Sequence, residues 1–120
     1  MTRRGIPLAG VLLAAALTAG CSPGSAGTSL ARQSCAHVAA GLASYHRGVT
    51  ASISSDQERF QSAALTQLEE ALPLASQAAE ADGEFQALMT TLQDVNRVPI
   101  DRLVTALDVQ CTKTLGRPVH

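Results

Sequence analysis

The chain reads as an all-α protein, and three observations carry that reading. Aromatic residues are almost absent, with two Phe, one Tyr and no Trp in 120 residues, so burial must come from Leu, Val and many Ala. Alanine-rich faces let helices approach closely and suit strands poorly. From Ala31 onward the apolar residues recur at steps of three and four, the period of one helix face. Gly48, Pro73, Gly83 and Pro99 then punctuate the pattern, which divides it into helix-length pieces. A chain of this length holds one domain with a modest core.

The first twenty residues have a different composition. Arg3 and Arg4 form a positive front, and Ile6 through Leu17 form an apolar run. From Gly5 to Gly20 that stretch is shorter than the ~20 residues a helix needs to cross a bilayer. A short apolar core behind a positive front, ending in small residues, is the pattern of a cleaved export signal. Its last residues, Leu17-Thr18-Ala19-Gly20-Cys21, resemble the bacterial lipobox at every position. The resemblance covers some twenty residues of the chain, and no family is recognised for the remainder. It implies a diacylglyceryl group on the Cys21 sulfur, cleavage before Cys21 and often acylation of the new amine. The implied mature protein is held by acyl chains on the extracytoplasmic face of a cell membrane, since two or three chains anchor far better than one. Thr2-Arg3-Arg4-Gly5-Ile6 also has some likeness to a twin-arginine export signal. Pro7 departs from that motif, and two arginines are equally what an ordinary signal needs, so the route stays open.

Residues 21–29 are rich in Ser, Gly and Pro after Cys21 and are expected to form a flexible tether. The domain expected beyond it spans 30–116, with a tail at 117–120. The first helix carries Ala31, Cys35, Val38, Leu42, Tyr45 and Val49 on one face, with an end expected at Gly48 and Arg47 beside it. Gly41 is expected to permit close helix approach. Ser54 with Gln57, or Ser55 with Glu58, forms a capping box for the second helix. That helix shows Phe60, Ala64, Leu65, Leu68, Leu72, Ala75 and Ala79 on its apolar face, and Pro73 is expected to kink or restart it. Asp82-Gly83 is the better reversal point. Leu74, Ala78, Ala81, Phe85, Leu88, Leu92 and Val95 nonetheless form an unbroken heptad pattern, so a turn at Pro73 and three long kinked helices is the alternative. A third face, Phe85, Leu88, Leu92 and Val95, stops at Val98-Pro99. The last helix carries Ile100, Leu103, Val104, Leu107 and Cys111 and closes at Gly116, with Pro118 beyond.

Cysteine arithmetic then bears on topology. The chain has three cysteines, and the lipobox resemblance claims Cys21 for lipid. Cys35 and Cys111 remain, in an exported and therefore oxidising setting, and are expected to pair. Their α-carbons must come within roughly 7 Å. Cys35 lies near the start of the first helix and Cys111 near the end of the last. An up-down-up bundle of three helices holds those ends apart, whereas four antiparallel helices bring them together. The expected architecture is a small antiparallel bundle of four helices.

Charge and motifs narrow the function classes without choosing one. Removing residues 1–20 takes away Arg3 and Arg4 and no acid, which moves the net charge from −1 to near −3. Between Asp56 and Asp94 eight acids face Arg59 alone, as expected for solvated helix faces. No basic patch interleaved with aromatics is present, so nucleic acid is not an expected partner. Cys35, His37 and Cys111 are the nearest approach to a soft-metal set. Residues two apart do not share a helix face and no fourth ligand presents itself, so no metal and no cofactor are expected. His46 lies on the face opposite His37. Glu69 and Glu70 are adjacent and diverge, which does not suit paired acid–base work. There is no nucleophile elbow, phosphate-cradling Gly loop or Ser-x-x-Lys dyad. The expectation is no enzyme and no catalytic residue. What remains is an anchored protein-interaction or accessory module with an envelope protein partner, or a carrier of lipid or another small apolar ligand in a gap between helices. Arg outnumbers Lys eight to one and Asn occurs once, which points to a GC-rich genome and not to a function.

Overall fold

The computed structural model describes residues 23–119, with side chains from Ala26. Helix α1 spans Pro23–Thr50 and α2 spans Ser54–Ala81. A 3-10 turn, Gly83–Phe85, leads into α3, Gln86–Gln93, and α4 runs over Ile100–Leu115. The described residues contain no strand. The expected antiparallel bundle of four helices is the architecture found.

Helices α1 and α2 make a long antiparallel hairpin, in which side-chain size sets the spacing. A Cβ added to Gly41 would stand 3.0 Å from Leu68 Cδ2 and 3.2 Å from the Ala64 carbonyl oxygen. One added to Gly27 would stand 3.0 Å from the Asp82 Cβ, and one on Gly48 would stand 3.3 Å from the Phe60 Cβ. Gly27, Ser34, Gly41 and Gly48 are seven residues apart and are all buried. Across from them α2 buries Ala64, Ala71 and Ala78, also seven apart. The Ser34 hydroxyl donates to the Ala71 carbonyl at 2.8 Å, so even the buried polar group in this seam is satisfied.

Helices α3 and α4 fold back over the half of the hairpin that holds the start of α1 and the end of α2. Together they enclose Cys35, Val38, Leu42, Leu68, Leu88, Leu92, Leu103 and Leu107 in one cluster. Ala31, Ala78 and Phe85 form a smaller one. The bond between Cys35 and Cys111 is present, with α-carbons 5.4 Å apart. Both cysteines are fully buried.

Several local expectations are corrected. Of the tether expected over 21–29, the described residues 23–29 belong to α1, and Gly27 is packed against α2. Composition favoured a tether because Gly and Ser bury little, but here a missing side chain is what lets the helices meet. Gly48 does not end α1, which continues two residues to Thr50. No capping box forms at α2: its N-cap is Ile53, without a side-chain cap. Gln57 instead turns its amide back to the Ala51 carbonyl at 2.7 Å, bracing the turn. Pro73 does not restart α2, which runs through it. Pro73 and Glu69, whose carbonyl loses its intrahelical donor to the proline, are both exposed residues.

The reversal lies at Asp82-Gly83, so three long helices are not formed. Asp82 caps both elements there. Its N–H donates to the Ala78 carbonyl at 2.8 Å, and its carboxylate accepts from the Glu84 N–H at 3.0 Å. Gly116 closes α4 at φ 72°, the left-handed position where glycine costs least. The tail expected at 117–120 is not free at Val119, which is 9% exposed and joins the main core.

Candidate functional site

Cys21 and the export signal at residues 1–20 lie outside the described residues. The fold brings Cys35 and Cys111 together and removes both from thiol or metal chemistry by bonding them to each other. His37 reaches across the hairpin from α1: its Nδ1–H donates to Gln67 Oε1 at 2.9 Å, with Glu70 Oε2 at 3.4 Å. The contact is partly solvent-exposed and joins α1 to α2, a structural role that needs no ligand. Glu69 is exposed beside Glu70 and makes no paired site with it. Tyr45 and His46 meet edge to face, with ring centroids 5.5 Å apart. Among the described residues no group of three or more His, Cys, Asp or Glu is placed to hold a metal ion. None of the described helices is long and apolar enough to cross a membrane.

Two surface features remain. The first is the end of the hairpin, where the α1 stripe runs past its cover. Ala31, Cys35, Val38 and Leu42 are fully buried, Tyr45 is half-buried and Val49 is 63% exposed. Ile53, at the tip, is 59% exposed. The segment joining α3 to α4 stops short of this tip and lies beside Gln61 and Leu65, leaving a groove of about 500 Å³ under the overhang. Its lining is mixed, with Leu65, Val98 and Ile100 beside the polar Asn96, Arg97 and Asp101.

The second feature is a hollow of about 220 Å³ at the opposite end, open to the surface. Phe85 and Leu88 form its apolar wall, and Thr28, Glu84, Gln110 and Lys113 supply polar groups around it. Gln110 donates its amide to the Thr91 hydroxyl at 3.1 Å.

Sequence periodicity placed Val49 on the buried face, and by period that is correct. Periodicity says which residues share a face, whereas coverage depends on how far a distant helix reaches. The available signal was length: α3 and α4, with 8 and 16 residues, cannot cover a hairpin of 28-residue helices. No protein-family model matches the chain, and neither a curated protein nor a solved structure matches it significantly. The fold defines it as a small disulfide-closed helical bundle.

Proposed function

We propose that this chain is a non-catalytic interaction module of the bacterial envelope, lipid-anchored at Cys21 on the extracytoplasmic face of the cell membrane, that presents the hairpin tip to a protein partner. The anchor rests on the Leu17-Thr18-Ala19-Gly20-Cys21 match behind Arg3, Arg4 and a short apolar run. The interaction role rests on one observation above others: Val49 and Ile53 are exposed beyond the end of a continuous core stripe. Burying these side chains against a partner would recover apolar area that the free chain leaves in water. The test is crosslinking in the native envelope followed by recovery of the anchored protein. Wild type is expected to retain a specific protein that a Val49→Ser, Ile53→Ser variant loses; equal recovery by both overturns the role of the tip.

A second reading has its own observation. The hollow of about 220 Å³ has an apolar wall in Phe85 and Leu88, and this concavity supports a carrier of small apolar molecules. Organic extraction of the same purified sample separates the two readings: a stoichiometric lipid favours the carrier, and a partner protein without one favours the module.

A further inference from the structure

We propose that the bundle stands end-on against the lipid surface with no intervening tether, so that the hairpin tip is carried about 42 Å outward, the length of a 28-residue helix. The inference rests on the lipid-anchor reading and adds to it a contact surface and an orientation.

Chain length limits how far the helix can stand from the anchor. Helix α1 starts at Pro23, and only Ser22 separates it from Cys21. Two residue steps span at most about 7 Å. A flexible linker over 21–29 would instead place the domain about 16 Å away on average. Nor does the helix swing freely once it has started. Gly27 is buried, and a Cβ there would stand 3.0 Å from the Asp82 Cβ and 3.4 Å from both the Ala78 carbonyl oxygen and the Ala81 Cβ. The first turns of α1 are therefore locked onto the end of α2, and the direction of α1 is the direction of the bundle.

That geometry decides which end meets the headgroups. The end holding Gly27 also holds Asp82, Glu84 and Lys113, the last two lining the same hollow as Thr28. Acid and base occur together on this face, so it is not a patch of one sign that would bind by charge alone. The acyl chains supply the hold, and the face supplies a short-range contact with the lipid interface. The opposite end carries Val49 and Ile53, clear of the bilayer.

Neutron reflectometry on the natively lipidated protein in a supported phosphatidylcholine–phosphatidylglycerol bilayer tests this. Protein density is expected to begin at the headgroups and extend about 42 Å, the length of α1, with the same profile at high salt. A water-filled gap next to the headgroups overturns the proposal, as does a layer only about 20 Å thick, the width of two helices lying flat. A variant with a nine-residue Gly/Ser insertion between Ser22 and Pro23 is expected to open that gap, and an unchanged profile in this variant also counts against a rigid link. Intact mass of the same sample keeps the two ideas apart. Absence of acyl mass on Cys21 overturns the anchor reading and the proposal together, whereas acylated protein with the wrong profile overturns the proposal alone.

Discussion

Helix α1 passes through two environments without changing its register. Between Ala31 and Leu42 it buries a side chain to zero exposure at each return of its apolar stripe, closed in by α2, α3 and α4. Between Tyr45 and Thr50 the same stripe has only α2 for company, and Gly48 is the one buried residue. The difference teaches that an amphipathic pattern specifies a face and leaves open what covers it. In the closed half, leucines fill a core between four helices and a disulfide holds the outer pair. At the tip, two helices touch through Gly48 and Phe60, and their apolar residues are left to solvent.

The largest expected effect breaks the closed half. The disulfide closes a loop across a sequence separation of 76 residues, and chain entropy gives about 4.5 kcal/mol as a ceiling for its contribution. A Cys35→Ala, Cys111→Ala variant is therefore expected to lose up to that much in urea unfolding. Peptide mapping without reductant that found both thiols free in exported wild type would remove the basis of the expectation. Next in size, Leu107→Ala is predicted to cost about 2–5 kcal/mol, because its side chain is fully buried between α4 and the hairpin. Val49→Ala, on a residue 63% exposed, is expected to stay within about 0.5 kcal/mol by the same measurement. If the two variants lost equal stability, the tip would have to be covered in the free protein.

Within the hairpin, Gly41→Val forces atoms against the Ala64 carbonyl and is predicted to destabilise by about 1–3 kcal/mol despite the better helix propensity of a side chain. Gly83 offers the contrast. It has no neighbour within 4 Å of a built Cβ and no positive φ. Gly83→Ala is expected to stabilise by about 0.4–1 kcal/mol, read as a small rise in the urea midpoint. A loss there would mean that the turn after Asp82 needs a freedom the structure does not show.

The parts of this molecule that were legible in its sequence are those set by local chemistry. Helix faces follow from spacing and the α4 terminus from Gly116, whereas the even helix count, a long-range feature, follows from the expected pairing of Cys35 and Cys111 across 76 residues. The close approach at Gly41 was legible as local chemistry. The start of α1 was not, because Gly27 looks like linker until Ala78 and Asp82 are placed against it. The capping box failed because Gln57 had a better partner in the Ala51 carbonyl across the turn. Val119 reads as tail because nothing near it in sequence says that the core is close. Exposure at Val49 depended on the reach of α3 and α4, and no residue near Val49 records that reach.

The bond between Cys35 and Cys111 also governs what happens if the chain is cut. The turn at 51–53, at the far tip, lies inside the loop that the bond closes. A protease that severs it produces two pieces that stay covalently joined, one of them bearing residue 21. Clipping at the hairpin turn therefore releases neither fragment, and the two separate on a gel only after reduction.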